Sequence, residues 1–325
     1  MIEYATAAYG LRDFPYLRRE LNSFRDGQDL GLWCAVDGWR NAEPLGEFVA
    51  GRAAARKPAL VVIAGGSGTG RTSLANYLIH RWATGRQGAP GIGFDQAKLV
   101  VAHGRMADYE AEEQLWKWVL DLYPEVQYEG YEPTETLDRV FEKLAAQKPD
   151  AMEQALRLVL RKLTGEMSAR GWALAGVIED VRKQKLLTLA EKSFRFVDSL
   201  FVATVENTAG NFDEVLSSVE LALDRDVSRL ATLAELDGRE AREVVFKRWK
   251  TCTQNDPPFR EEEVENAFLA RPRPIARILK LMEMSLVTKV GYGSGVTWPD
   301  DRLKFIEGEL VNQIEYLDGN VFTGR

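Results

Sequence analysis

The chain has 325 residues, of which 45% are hydrophobic and 28% charged, and its net charge at pH 7 is −7. This length exceeds what most single hydrophobic cores hold, and the composition excludes a disordered or low-complexity chain. The acidic balance gives no long-range attraction to phosphate polymers, so the charge does not indicate DNA binding, although a local basic groove stays compatible with it.

The few cysteines and histidines restrict the available chemistry. Cys34 and Cys252 show no CxxC or Cys/His spacing, which argues against a disulfide framework and a zinc site. His80 and His103 are too few for a multi-histidine metal site. The first residues lack a signal-peptide pattern, and no apolar run reaches the ~18 residues that span a bilayer. We therefore expect a soluble, cytoplasmic protein without a membrane contact.

The chain up to residue 237 alternates strand and helix patterns after a lead-in segment, 1–58, whose last helix covers 45–55. The first strand is a continuous Val- and Ile-rich run, as expected for a buried parallel strand. Strands are predicted at 59–64, 98–102, 172–178, 200–205 and 230–236. Helices are predicted at 71–82, 108–122, 134–147, 151–166, 183–199 and 213–223, with a glycine-rich loop at 85–93. The pattern predicts an α/β fold, with a five-stranded parallel sheet and helices on both faces.

Only helical patterns follow the fifth strand. Helices are predicted at 239–250, 261–270 and 275–287, and a last one at 301–317 after a glycine joint. One face of the last helix carries Leu303, Ile306, Leu310, Ile314 and Leu317. We expect this face to dock onto the chain's own helices rather than onto a partner. The predicted segments are the lead-in at 1–58, an α/β nucleotide-binding domain at 59–237, a small helical lid domain at 238–290, and the joint with the C-terminal helix at 291–325.

The segment between the first strand and the first long helix has the spacing of a phosphate-binding P-loop. Its residues are predicted to bind ATP or ADP: Gly65, Gly66, Ser67, Gly68, Thr69, Gly70, Arg71, Thr72 and Ser73. The glycines let successive backbone N–H groups turn towards a phosphate, and the helix that follows adds its positive N-terminal dipole. The hydroxyl of Thr72 is a candidate Mg²⁺ ligand. A plain glycine turn between strand and helix is the less favoured alternative.

Arg71 stands where the P-loop pattern has lysine. Arginine stays charged and binds phosphate bidentately, but its planar group is bulkier than an ammonium and cannot occupy the same point between two phosphates. The substitution predicts that binding survives while hydrolysis slows.

Acidic residues follow the third predicted strand. Glu179 and Asp180 end this strand, where carboxylates beside a phosphate loop hold hydrated Mg²⁺ and polarise water. The pair resembles a Walker B element in the inverted order, which leaves open which carboxylate serves the metal and which the water. A solvated acidic turn is the alternative. The fourth strand also ends in polar residues, at 206–208.

In their order along the chain, these motifs resemble the AAA+ ATPases, and more narrowly their origin-recognition, transposition-helper and STAND-like branch. The segment from Tyr9 to Tyr16 is similar to the "GL…PF" segment that this family places near adenine. The resemblance covers about residues 9–287, and its sharpest motif is the P-loop.

The resemblance implies roles for several further residues. Asn207 corresponds to sensor 1, Arg273 to the sensor 2 arginine of the lid, and Arg229 or Arg225 to the arginine finger that acts on a neighbouring subunit. The family usually has glycine where Ala270 stands, so Arg271 and Arg277 are alternative sensor 2 candidates. Trp116 and Trp118 are interpreted as packing residues.

The resemblance also implies a function. It predicts an ATPase whose ATP-bound state assembles or remodels an unidentified protein partner, as a nucleotide-dependent homo-oligomer that hydrolysis resets. The alternative is a nucleotide-binding interaction module with little or no turnover, which Arg71 and the inverted carboxylate pair favour. A P-loop kinase is a third reading, weakened by Asn207 and by the helical domain.

Overall fold

The computed structural model describes residues 1–17, 19–34, 42–87, 95, 98–105, 111–146, 152–181, 184–206, 224, 226–291 and 297–320. These form two units. The first, here called the helical unit, contains residues 1–40, 66–73 and 233–325, and the second, here called the sheet unit, contains residues 41–65 and 74–232. The predicted helix at 213–223 lies outside the described residues, as do most of the two glycine-rich stretches.

The strands are β1 Ala59–Gly65, β2 Leu99–Arg105, β3 Ala173–Glu179, β4 Ser199–Glu206 and β5 Ser228–Leu233. They form one sheet in the order β2-β3-β4-β1-β5. The pairs β1·β4, β2·β3 and β3·β4 are parallel. The predicted five-stranded parallel sheet with helices and a helical C-terminal part is confirmed.

The helices preceding β3 are α1 Ile2–Ala8, α2 Gly27–Gly31, α3 Ala42–Ala54, α4 Arg71–Gln87, α5 Ala111–Tyr128, α6 Glu135–Ala146 and α7 Met152–Ala169. Those that follow β3 are α8 Gln184–Phe194, α9 Gly238–Cys252, α10 Glu261–Leu269, α11 Ile275–Val290 and α12 Glu309–Asn320. No helix in the described parts of the chain is both long and apolar enough to cross a membrane.

Both faces of the sheet are covered. Successive side chains of a strand point to opposite faces. On one face, Leu60, Val62 and Ala64 of β1 share a hydrophobic core with residues of α5 to α8. The intervening β1 side chains are buried too, and α3 packs against β1 and β4. Burial on both faces explains why β1 is a continuous apolar run.

Trp118 of α5 lies across β2 and β3. A Cβ atom on Gly104 would lie 2.4 Å from Cδ1 of Trp118, and one on Gly176 would lie 2.5 Å from its Cη2. The two glycines therefore make room for the indole ring on the sheet. Trp116 is also buried. Both tryptophans are packing residues, as predicted.

The helical unit includes the start of the chain. Tyr9 and Tyr16 are fully buried, and the Tyr16 hydroxyl donates to the Val245 carbonyl of α9 at 3.2 Å. The Tyr9 ring lies 5.9 Å from that of Trp249, also on α9. The predicted lead-in segment thus divides: its first 40 residues group with the helical unit, and the rest, including α3, groups with the sheet unit.

The predicted single helix at 301–317 is wrong. The chain forms a short 3-10 turn at Asp301–Leu303, and α12 begins only at Glu309. Lys304 between them is extended, and Gly308 has a left-handed φ of +77°, so an α-helix cannot continue through this stretch. Ile306, predicted to share the buried face, is 72% exposed. The other members of that face are buried: Leu303, Leu310, Ile314 and Leu317.

Candidate functional site

The phosphate loop follows β1 and holds two glycines in the left-handed region. Gly68 has a φ of +75° and Gly70 a φ of +96°, which side chains other than glycine adopt only under strain. Between them, the Thr69 hydroxyl donates to the Gly66 carbonyl at 2.9 Å and closes the turn. The pattern of glycines in the sequence thus corresponds to a real backbone requirement. Alternating left- and right-handed residues of this kind form anion-binding concavities.

Helix α11 begins directly on this loop. The backbone N–H of Ala276 donates to the Gly68 carbonyl at 3.1 Å. A Cβ atom on Gly68 would lie 3.0 Å from that of Ala276, which is tighter than ordinary contact. The first turn of a helix carries N–H groups without partners inside the helix, and the loop satisfies one of them. The loop conformation and the position of α11 therefore depend on each other.

Ser73 ties the loop to the start of the chain. The backbone N–H of Leu21 donates to its hydroxyl oxygen at 3.1 Å. Ser73 was predicted as a nucleotide-binding residue from its place behind the loop. In the structure its hydroxyl oxygen accepts a hydrogen bond from the N-terminal segment.

A cavity of about 270 Å³ opens on the loop inside the helical unit. Its loop side is formed by Gly68, Gly70, Arg71, Thr72 and Ser73. This brings together most of the predicted phosphate-binding residues. The remaining walls come from two other parts of the unit, the N-terminal segment and the helices α9 and α11.

Those walls contain both charged and apolar residues. The charged residues are Arg19, Glu20 and Arg248, and α11 contributes Ile275 and Leu279. With Arg71, the residues that line the cavity include three arginines and one glutamate. Opposite charges attract strongly where water is partly excluded, so the arrangement suits an anionic ligand.

Arg19 is held by a buried carboxylate. Its Nη1 donates to Oδ2 of Asp29 at 2.6 Å, and its Nη2 donates to Oδ1, a bidentate pair. Asp29 also accepts from the N–H of Asn22 at 2.7 Å. Burial by itself would raise the pKa of Asp29, but the hydrogen bonds from Arg19 and Asn22 outweigh burial and lower that pKa.

Arg248 of α9 is only 4% exposed. Burial lowers the pKa of Arg248 to about 10, and the neighbouring charge of Arg19 acts in the same direction. The group is still cationic at neutral pH. Its Nη1 lies 3.5 Å from the Leu17 carbonyl oxygen, and its Nε has no hydrogen-bond partner among the described residues. The sequence analysis missed both Arg248 and Arg19.

A signal for Arg248 exists in the sequence. The buried face of α9 consists of Gly238, Ala241, Val244, Val245, Arg248, Trp249 and Cys252. Arg248 is the charged member of this helical stripe, at a position where the period predicts an apolar side chain. A cation in a core position of an amphipathic helix marks either a buried ion pair or a ligand contact.

The acidic residues lie at the carboxyl edge of the sheet. Glu179 ends β3, and Asp180 follows it with a left-handed φ of +57°. The Asp180 N–H donates to the Thr204 hydroxyl of β4 at 3.2 Å. In the register, Gly65 at the end of β1 stands opposite Glu206 at the end of β4. The sheet therefore brings Glu179, Asp180 and Glu206 to the edge at which β1 ends.

Arg229 lies near the other end of the sheet. The N–H of Leu60, at the start of β1, donates to the Val227 carbonyl just before β5, so β5 starts beside the start of β1. The Arg229 guanidinium lies 4.2 Å from the centre of the Phe48 ring. Its role as an arginine finger stays a prediction. The other candidates Asn207 and Arg225 lie outside the described residues.

Arg273 and Arg277 contact the C-terminal helix. Nη2 of Arg273 donates to Oδ2 of Asp318 at 2.5 Å, and Nε of Arg277 donates to Oδ1 at 2.8 Å. These arginines and Arg271 line a second cavity of about 800 Å³ in the helical unit, not the loop cavity. The role of these arginines as sensor 2 stays a prediction.

Comparison with solved structures identifies the fold. The Aeropyrum pernix ORC2 protein in its ADPNP-ADP complexes matches with a TM-score of 0.52 and 12% sequence identity, covering 85% of this chain. The ADP form of the same protein matches with a TM-score of 0.50 and 13% identity, again covering 85% of this chain. The chain corresponds to only 66% and 67% of these two structures. No protein-family model matches the sequence, and no curated protein is significantly similar to it.

At this level of identity the likeness concerns the fold. The chain has the fold of an AAA+ ATPase, with a parallel α/β sheet and a helical C-terminal part. The origin-recognition, transposition-helper or STAND-like branch within that class stays a prediction.

Proposed function

We propose that the chain binds ATP or ADP with Mg²⁺ at the phosphate loop and acts as an ATPase switch that assembles or remodels a partner protein. The observation that carries this proposal is the loop between β1 and α4, with Gly68 and Gly70 in the left-handed region. The ORC2 protein of similar fold was solved with ADPNP and ADP. That likeness supports a nucleotide as the ligand.

The residues around the loop fit a polyphosphate. The two left-handed glycines leave the loop without side chains where a phosphate approaches, and the N-terminus of α4 adds positive potential. Arg71 and Arg248 supply opposite charge, and Arg19, paired with Asp29, lines the same cavity. The apolar wall of Ile275 and Leu279 suits the flat, apolar faces of a nucleotide base.

The chain's own groups have distinct proposed tasks. The loop N–H groups and Arg71 bind phosphate oxygens, and Thr72 with one of Glu179 and Asp180 would hold Mg²⁺. The other carboxylate orients a water molecule and accepts its proton. The bound magnesium nucleotide supplies the transferable phosphoryl group. Asn207, Arg273 and Arg229 take the sensor and finger roles that the resemblance implies.

The test of the switch is the assembly state. We expect size-exclusion chromatography with light scattering to give a larger mass with a non-hydrolysable ATP analogue than with ADP, because a homo-oligomer that ATP assembles should disassemble after hydrolysis. The same mass in both nucleotides, with both shown to bind, would contradict the switch.

A second candidate is an interaction module that binds nucleotide with little turnover. Two observations favour it: Arg71 in the lysine position, and the order of Glu179 and Asp180. Nucleotide affinity and hydrolysis rate, measured on one preparation, separate the two candidates. Tight binding with turnover no faster than the uncatalysed reaction supports the module.

A further inference from the structure

The fold supplies few hydrogen bonds to offset the cost of burying the charge of Arg248. This arginine lies on the buried face of α9 between Val245 and Trp249, and its side chain reaches the wall of the loop cavity. Moving a guanidinium out of water costs several kcal/mol unless hydrogen bonds and an opposite charge replace the lost hydration. The contacts of Arg248 therefore show whether its guanidinium stabilises the folded protein.

Those contacts are weak. The Nη1 to Leu17 oxygen distance of 3.5 Å is at the limit of a hydrogen bond, and Nε has no partner in the described part of the chain. Asp29, whose charge acts on Arg248, already accepts hydrogen bonds from Arg19 on both oxygens and from the N–H of Asn22. Two guanidinium groups thus lie near one buried carboxylate, and its hydrogen bonds come from Arg19 and Asn22 rather than from Arg248.

Arg248 lies beside the phosphate loop. The cavity that Arg248 lines is bounded by Gly68, Gly70 and Arg71 of the phosphate loop. A phosphate carries negative charge and several acceptor oxygens, and arginine is well suited to bind it. A phosphate in this cavity would supply both the acceptor and the charge that the fold does not supply.

We infer that Arg248 is a ligand-binding residue that donates from its guanidinium group to a phosphate oxygen of the nucleotide held by the loop. Arg19, held by Asp29, lines the same cavity. This inference deepens the proposed function and rests on it. It gives α9 a direct part in ligand binding. No ligand contact was predicted for this helix from the sequence.

We expect Arg248→Met to weaken nucleotide binding without destabilising the nucleotide-free protein. The change keeps the length of the side chain and removes the charge. ATP and ADP should bind about 10- to 100-fold more weakly, the range expected for losing a charge-assisted hydrogen bond. The unfolding midpoint of the nucleotide-free protein should stay the same or rise, because a poorly paired buried charge has been replaced by an apolar group.

The experiment is calorimetric titration of ATP and ADP, together with thermal unfolding without nucleotide. Lys250→Met is the matched control, because it removes one positive charge from the same helix at an exposed position, and it should leave affinity within about twofold. Arg248→Lys keeps the charge on a shorter donor and should bind more tightly than Arg248→Met. It also serves as the test variant if Arg248→Met does not fold.

The outcomes separate the claims. Unchanged affinity in Arg248→Met, or in Arg248→Lys if only that variant folds, would overturn the inference and leave nucleotide binding intact. A lowered unfolding midpoint with equal losses in both Arg248 variants would show a structural arginine, which also overturns it. Absence of binding by the wild-type protein would instead refute the proposed function, and this inference with it.

Discussion

Arg71 begins α4 and lines the loop cavity beside Arg248 and Arg19. A lysine ammonium is a compact charge that fits between two phosphate groups, whereas a guanidinium binds further out or displaces the loop. We expect Arg71→Lys to raise the hydrolysis rate while nucleotide affinity stays within about tenfold, a difference of ~1.4 kcal/mol. Steady-state hydrolysis and calorimetry on the same preparation measure both quantities.

The opposite result for Arg71→Lys is informative as well. If both affinity and rate fall below those of a robustly active wild-type protein, the loop is adapted to the guanidinium. That outcome would remove the main argument for the interaction module.

Asp180 is suited to a conservative test. Its left-handed backbone, tied to Thr204, is one that asparagine also tolerates. Asp180→Asn should therefore keep the turn while removing the charge. We expect hydrolysis to slow by about 100-fold or more, with little loss of ATP affinity, because a carboxylate that orients water acts mainly in the transition state. Single-turnover hydrolysis with saturating ATP measures this effect.

Glu179→Gln serves as the comparison for Asp180→Asn. If hydrolysis falls in Glu179→Gln and stays unchanged in Asp180→Asn, the roles of the two carboxylates are reversed from this prediction.

At the residue scale, local spacing predicted some residues of the candidate site, whereas tertiary packing brought in others that the sequence did not indicate. The glycine spacing predicted Gly68 and Gly70, because the left-handed backbone is a local requirement that the residue type records. Arg19 and Arg248 line the same cavity but come from distant parts of the chain. Their meeting depends on how α9 packs against the N-terminal segment, which no local pattern specifies.

Among the elements, Asp318 of α12 forms one of the polar contacts with the start of α11, beside those of Glu309 with Lys289 and of Gln313 with Ser285. Asp318 accepts from Arg273 and Arg277, and its side chain is 17% exposed. Burial would raise the pKa of Asp318, but the hydrogen bonds from the two arginines outweigh burial and lower it. A carboxylate with a lowered folded-state pKa stabilises the fold above its unfolded pKa, about 4, and this contribution is lost as the pH falls through the folded value.

We therefore expect Asp318→Asn to lower the free energy of unfolding at pH 7 by about 1–2 kcal/mol. The deficit relative to wild type should shrink as the pH falls below about 4, because protonation then removes the charge from both proteins. Denaturant titrations at pH 7 and pH 3 provide the measurement. Asp301→Asn, at a position that is 90% exposed, is the control and should change little. A constant deficit at all pH values would contradict the electrostatic account.

Helix ends were less predictable than helix positions. The glycine at 85 was interpreted as the start of a loop, yet it lies inside α4, which continues to Gln87. A Cβ atom on Gly85 would lie 2.3 Å from the Ala50 carbonyl oxygen of α3, so this glycine allows two helices to approach closely. Similarly, α5 continues through Pro124 to Tyr128. Packing against neighbouring elements overrides the local tendency of glycine and proline to end a helix.

For the whole molecule, the sequence predicted the fold class more accurately than the grouping of its parts. Alternating strand and helix patterns were sufficient for the parallel sheet and the helical end. They gave no indication that the phosphate loop groups with the helical unit. That grouping follows from long-range contacts, such as those of Gly68 with Ala276 and of Ser73 with Leu21.

Nucleotide binding at the loop is the claim on which the proposed function depends, and calorimetric titration of ATP with Mg²⁺ tests it most directly. The test variant is Gly70→Val, since a side chain at a φ of +96° distorts the loop where backbone N–H groups meet phosphate. Gly171→Val is the matched control, because Gly171 has a φ of +77° in a turn with open space around it. We predict binding by the wild type and by Gly171→Val, and no measurable binding by Gly70→Val with an unchanged circular-dichroism spectrum. Equal ATP affinity in all three proteins, or no binding by the wild type, would contradict the assignment.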